Sequence, residues 1–238
     1  MIAELTKFEN LLVRKNNPVG TSLLLILAWI ACSDDDLDKR ELEELNFIAE
    51  SSNHQDELPI IIEILQNSDY DSIQLACEII KTHVEQSKAN LFLEMCIGIA
   101  IADGRLKVTE NYILRFIADL FNMSQATLNN IFQNITTKDF PEPEDFSSYK
   151  YWNYSEYKSN RDNGNREQRS ASISKQKALA ILGLEDGASL EEIKNTYRRL
   201  AQIHHPDKYF SLGEEAVQAA TITFKRITNA YNYLIKHA

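Results

Sequence analysis

The stretch SLEEIKNTYRRLAQIHHPDK, from Ser189 to Lys208, decides the fold of the C-terminal part of the chain. Ser189 and Glu192 match a capping box, in which the hydroxyl and the carboxylate bind backbone amides at a helix start. Pro206 has no amide hydrogen and disfavours the helical conformation at the preceding residue, so the helix should end near there. Between these signals, apolar residues recur with the spacing of one helix face, at Ile193, Tyr197, Leu200 and Ala201.

The charged residues of this stretch fall outside the apolar face of the predicted helix. Lys194, Arg198 and Arg199 are expected to stay solvated. The helix end leaves His205 and Asp207 at an exposed bend, where the Asp207 carboxylate is free to accept a bidentate arginine from a partner. The pattern therefore predicts a surface that binds another protein.

Helical segments are predicted on both sides of this stretch, a short apolar one around Ala178 to Leu182 and a longer one from Phe224 to Leu234. With the tripeptide His205-Pro206-Asp207 between them, residues 173–238 resemble a J domain, the module of the DnaJ co-chaperones. The resemblance implies docking on a DnaK-type heat-shock chaperone and stimulation of its ATP hydrolysis. It assigns the docking surface to Lys194, Arg198, Arg199, His205, Pro206, Asp207 and Lys208. One departure from the family is His204, which stands where many J domains carry Tyr.

Residues 1–136 are predicted to form a helical bundle with an internal repeat. AWIACSDDDLDKRELEELNFIAE, from Ala28, aligns with IGIAIADGRLKVTENYILRFIAD, from Ile97, at an offset of 69 residues. Each copy reads as an apolar helix, an acidic loop and an amphipathic helix, so the two pairs can close one bundle. The pattern is similar to the TerB family, associated with tellurite resistance. A TerB-like bundle followed by a terminal J domain resembles the DjlA-type co-chaperones. Helices are predicted at about 2–15, 19–33, 38–52, 57–67, 70–85, 88–102, 109–121 and 124–134.

The acidic loops of the two copies are candidate ligands for a divalent metal ion, whose preferred ligands are oxygen atoms. TerB relatives are suspected of metal binding, which the resemblance carries over to this chain. The loop does not complete an EF-hand, because Gly is missing at the sixth position and Leu45 stands at the twelfth. The structural alternative is that these carboxylates bind loop amides and favour the start of the next helix. The residues concerned are Asp34, Asp36 and Glu41 in the first copy and Asp103 and Glu110 in the second.

Residues 137–172 change character and predict a flexible polar linker between the two domains. The linker opens with prolines and acidic residues and continues without helical periodicity. It also carries an aromatic cluster, for which docking on the bundle and contact with an unfolded client are the two interpretations. The cluster consists of Tyr149, Tyr151, Trp152, Tyr154 and Tyr157.

Charge and composition narrow the classes of partner. Residues 173–238 contain nine Lys and Arg and seven Asp and Glu, which gives a net charge of +2. The first 172 residues therefore carry a net charge of −12. An acidic N-terminal part argues against nucleic acid. The longest apolar run, Leu23 to Cys32, is half of the ~20 residues that a bilayer span needs, so no transmembrane segment is predicted. The isolated cysteines and the lack of a signal peptide indicate a cytoplasmic protein.

These features together predict an all-α co-chaperone whose bundle recognises a client or a site and whose J domain recruits a DnaK-type chaperone. The client and the oligomeric state are not defined by the sequence. The alternative is a metal-binding stress-response protein with a J-like tail as a scaffold. No enzyme is expected, since neither a nucleophile elbow nor a phosphate-binding loop is present.

Overall fold

The structure, a computed structural model, describes residues 5–33, 39–143 and 174–237, without the side chains of 39 and 40. Within these ranges all regular elements are helices. The N-terminal part contains α1 (Lys7–Arg14), α2 (Pro18–Ala31), α3 (Lys39–Ser51), α4 (Leu58–Gln66), α5 (Tyr70–His83), α6 (Ala89–Ala100), α7 (Val108–Leu120) and α8 (Gln125–Thr136). The C-terminal part contains α9 (Lys175–Ile181), α10 (Leu190–Ile203), a 3₁₀ helix (Pro206–Leu212) and α11 (Glu214–Lys236). The all-α prediction is confirmed.

The internal repeat corresponds to two helix pairs, α2 with α3 and α6 with α7. The apolar first helices of the two copies, α2 and α6, pack against each other, and α2 also packs against α5. This arrangement follows from the sequence, because each copy places one strongly apolar helix before one amphipathic helix. The repeat therefore supplies the centre of the bundle.

Helix α2 lies at the core of the bundle. Pro18 occupies its first turn, and the Asn17 side chain caps it by accepting the amide hydrogen of Gly20 at 3.0 Å. Every residue from Leu23 to Ala28 is buried, as expected for the longest apolar run of the chain. In the described ranges, no helix combines the length and the apolar character that crossing a membrane requires.

The bundle extends a few residues beyond α8, into the segment predicted to be linker. The Phe140 ring packs edge-to-face on Phe132 with centroids 5.0 Å apart, and the Phe140 amide donates to Asn129 Oδ1 at 2.7 Å. Arg115 donates to the carbonyl of Pro141 at 2.7 Å. The aromatic cluster from Tyr149 onward lies outside the described residues. The three domain ranges, 1–136, 137–172 and 173–238, stay predictions.

In the C-terminal domain, α10 and α11 form a helical hairpin. The predicted capping box is confirmed, since Glu192 Oε2 accepts the Ser189 amide at 2.7 Å and the Ser189 hydroxyl accepts the Glu192 amide at 3.2 Å. Tyr197 of α10 stacks on Tyr231 of α11 with centroids 4.1 Å apart. Helix α9 packs on α11, which also contacts α2, α3 and α6 of the bundle. One long helix therefore joins the two domains.

Candidate functional site

The tripeptide predicted to carry the function lies at the end of α10. The helix ends at Ile203, and His205 takes an extended conformation (φ −66°, ψ 126°), which is the conformation favoured before proline. The His205 Nδ1 atom accepts the backbone amide hydrogen of Asp207 at 3.3 Å, and its ring packs edge-to-face on Phe224. The side chains of His205 and Asp207 are 50% and 90% exposed. The tripeptide is therefore fixed at its base and open to a partner.

The basic residues of α10 divide into two groups. Lys194 and Arg198 are exposed, as expected. Arg199 is half-buried and donates to the carbonyl oxygens of Asn134 and Ile135 at the end of α8. The expectation that Arg199 is solvated was wrong, because the carbonyls of the last helical turn lack partners inside the helix and attract a cation.

Lys208, the residue after the tripeptide, also contacts the bundle. Its ammonium group lies 3.2 Å from the Glu94 carboxylate on α6 and 3.1 Å from the carbonyl oxygen of Ile203. Arg199, which also contacts the bundle, is partly buried there, and burial lowers the pKa of its guanidinium group from the ordinary value. The structure thus brings together only part of the predicted site on one free surface, since Arg199 and Lys208 face the bundle.

His204, the residue that departs from the family pattern, fills the contact between the domains. Its side chain is 2% exposed and lies against Gly98 of α6, where a Cβ atom would come within 2.9 Å of the His204 Cε1 atom. Burial, with the charges of Lys208, Arg199 and Arg226 as smaller causes, lowers the His204 pKa to about 3. The imidazole is therefore neutral at physiological pH, and a Cβ atom at position 98 would force it to shift.

A buried network of charged groups joins the domains at the other end of α11. His54 Nε2 lies 2.6 Å from Glu215 Oε1 of α11, and His54 Nδ1 lies 2.7 Å from Glu57 Oε1. Burial lowers the His54 pKa, but hydrogen bonds with Glu215 and Glu57 outweigh this effect and raise the pKa to about 9. Lys15 lies 3.9 Å from Glu57, so two cations face two carboxylates.

Two further contacts connect α11 with α3. Arg226 forms a 2.5 Å ion pair with Glu44, and the Lys225 ammonium lies 4.6 Å from the centroid of the Phe47 ring. Between α11, α9 and the bundle a cavity of about 400 Å³ remains. Its walls come from both domains and include Leu106, Ile135, Ile181, Leu200, His204 and Arg226.

The acidic residues proposed as metal ligands have other partners where they are described. Asp103 accepts the amide hydrogen of Arg105 at 2.9 Å, and Glu110 accepts that of Lys107 at 2.7 Å. The Glu41 carboxylate lies 3.7 Å from the Lys107 ammonium. Within the described ranges no three His, Cys, Asp or Glu side chains gather as they do in a metal site, while Asp34 and Asp36 lie outside those ranges.

Sequence reasoning missed residues on both sides of the contact between the bundle and the J domain. Gly98, Glu94, His54 and Glu215 carry no local signal for this role, because each looks like an ordinary core glycine or surface charge. The one available signal was His204, a polar residue at a position where the family pattern has an aromatic one.

Two families match separate parts of the chain. The DnaJ domain family matches residues 178–238, and the family of the tellurite resistance protein TerB matches residues 23–133. Both matches fall where the sequence repeat and the tripeptide predicted them. No solved structure matches the chain.

Curated relatives resemble either the C-terminal domain alone or both domains. The human DnaJ homolog subfamily C member 5B is 49% identical over 70 residues, which are 29% of this chain and 33% of the relative. The co-chaperone protein DjlA of Haemophilus influenzae is 25% identical over 150 residues, 61% of this chain and 52% of the relative. The chain thus spans between a third and about half of the length of these relatives. With a TerB domain ahead of a C-terminal DnaJ domain, it belongs to the DjlA-like J-domain proteins.

Proposed function

We propose that this protein recruits a DnaK-type heat-shock chaperone and stimulates its ATPase through the tripeptide His205-Pro206-Asp207. The chemistry takes place in the nucleotide site of the partner, so the chain itself acts through a surface and is not an enzyme. The bundle supplies a second binding specificity besides that for the chaperone, because it recognises a client or a site at which the chaperone is needed. The client is a protein of unknown identity.

The observation that carries the proposal is the rigid presentation of the tripeptide. Phe224 and the Asp207 amide hold the His205 ring, while the carboxylate of Asp207 is almost fully exposed. A carboxylate and an imidazole on a fixed turn can bind a partner with little loss of conformational entropy. Lys194 and Arg198 lie exposed on the preceding helix, where positive charge accelerates encounter with an acidic surface.

The direct test is single-turnover ATP hydrolysis by a DnaK-type chaperone with the intact chain and with the variant His205→Gln. We expect the intact chain to accelerate hydrolysis and the variant to lose the acceleration. Folding should be unaffected, because the His205 side chain is half exposed. A variant that stimulates as well as the parent would show that the tripeptide is not the docking element.

A matched control is His83→Gln, which makes the same substitution at an exposed histidine of α5 in the bundle. This variant should stimulate hydrolysis like the parent. Circular dichroism of both variants separates a loss of docking from a loss of fold.

A further inference from the structure

We propose that the bundle and the chaperone compete for one face of the J domain, so that the docked chain is a restrained form of the co-chaperone. The inference rests on the function proposed above and adds its regulation. It starts from the finding that two residues assigned to the chaperone-docking surface, Arg199 and Lys208, are already bound by the bundle.

Arg199 binds the C-terminal end of a helix, a position that attracts cations in proteins generally. The last carbonyls of α8 have no partners within the helix and lie at the negative end of its dipole. The Arg199 guanidinium donates to two of them, the carbonyls of Asn134 and Ile135, the second at 3.0 Å. An acidic surface on a chaperone would bind the same guanidinium group through carboxylates instead of carbonyls. Arg199 cannot bind the chaperone and the end of α8 at the same time.

The Lys208 contact extends the competition to the tripeptide. Lys208 follows Asp207 directly, and its ammonium group lies 3.2 Å from Glu94 on α6. Glu94 therefore holds the residue next to the tripeptide against the bundle. The docked chain still exposes Lys194, Arg198, His205 and Asp207, and the Lys208 side chain is 42% exposed although its ammonium group is paired with Glu94.

The docked form also contains features that favour release. One terminal nitrogen of Arg199, Nη2, is buried without a hydrogen-bond partner, which weakens the contact. The cavity of about 400 Å³ between the domains leaves apolar side chains such as Ile135 and Leu200 incompletely packed. A chaperone that satisfies Arg199 and Lys208 fully can therefore replace the bundle as their partner.

The populations of the docked and released forms determine the apparent affinity for the chaperone. A chaperone that needs the released form binds with an apparent affinity reduced by the fraction of the chain that is released. Variants that prevent docking should therefore lower the concentration needed for half-maximal stimulation, without any change in the J domain. We expect a decrease of about three- to tenfold.

Two substitutions in the bundle test this without altering the J domain. Glu94→Lys replaces the attraction for Lys208 with repulsion. Gly98→Leu introduces a side chain whose Cβ would lie within 3.3 Å of His204 and Thr223, the J-domain residues nearest to that position. Leucine also favours a helix more than glycine does, so α6 itself should not be weakened.

The matched control is Glu78→Lys, which makes the same change of charge on the exposed side of α5, a helix that packs mainly against α2. Two quantities are measured for each variant, the radius of gyration by small-angle scattering and the concentration dependence of ATPase stimulation. The parent and Glu78→Lys should be compact and need the higher concentration for half-maximal stimulation. Glu94→Lys and Gly98→Leu should be larger and reach half-maximal stimulation at the lower concentration.

The outcomes separate this inference from the proposed function. If the two variants expand but need the same concentration as the parent, competition is excluded while the chaperone function stands. If neither variant changes the radius of gyration, these residues do not hold the J domain and the inference is overturned. If even the expanded variants fail to stimulate any cognate chaperone, the proposed function itself is wrong.

Discussion

Arg198 and Arg199 are neighbours in the sequence but act in different places. Arg198 is exposed, whereas Arg199 binds the end of α8. We expect Arg198→Ala to raise the chaperone concentration for half-maximal stimulation about two- to fivefold, since one surface charge contributes up to about 1 kcal/mol. The loss should shrink in high salt, because screening weakens the charge that is removed. Stimulation titrated at low and high salt measures both effects.

Arg199→Ala should behave differently from Arg198→Ala in the same titration. It removes a proposed contact with the chaperone and, at the same time, a contact between the J domain and the bundle. The two losses act in opposite directions on the apparent affinity, so the net change should be smaller than for Arg198→Ala. Equal losses for both variants would contradict the division of roles.

The residues of the site could be predicted from the sequence only where the signal is local. The tripeptide, the exposure of Arg198 and the end of α10 near Pro206 all depend on neighbours within one or two helical turns. The partners of Arg199 and Lys208 could not be predicted, because the end of α8 and Glu94 are distant in the sequence.

Helix α10 depends on the capping box at its start. The variant Ser189→Ala removes the hydroxyl that accepts the Glu192 amide, and we expect it to lower the free energy of unfolding by about 1 kcal/mol. Chemical denaturation monitored by circular dichroism measures the change. A suitable control is Ser211→Ala, an exposed serine of the 3₁₀ helix outside any capping box. A cap that contributes nothing would give the same stability for both variants.

The elements themselves were well predicted, because each helix carries its own start, stop and apolar face. All eight predicted helices of the bundle are present. Seven lie within two residues of their expected ends, whereas α1 begins at Lys7 instead of about residue 2. The extension of the bundle through Phe140 and Pro141 was missed, since two prolines and acidic residues look like a linker whatever they pack against.

The association of the two domains should depend on pH through His54. Its pKa of about 9 lies above the ordinary value of 6.5, so the network stabilises the folded chain fully below pH 6.5 and loses this contribution as the pH rises through 9. A shift of this size corresponds to about 3 kcal/mol. The groups that face His54 are Glu57 on its own segment, Glu215 of α11 and Asn17, and Lys15 lies next to Glu57. Thermal unfolding at pH 7 and pH 9.5 should show the decrease.

The control for this prediction is His54→Gln, measured at the same two pH values. The amide does not titrate, so the variant should be less stable than the parent at pH 7 and should lose less stability between pH 7 and pH 9.5. Parallel pH profiles for parent and variant would show that another group causes the decrease.

Gly98 of the bundle and His204 of the J domain share one small space. A larger side chain at position 98 would force the His204 ring to move or the domains to separate. The two positions are therefore coupled through their packing. In relatives that keep this arrangement, we expect substitutions at the two positions to covary. A J domain exchanged between such proteins would fit its new bundle only when the residues at both positions match.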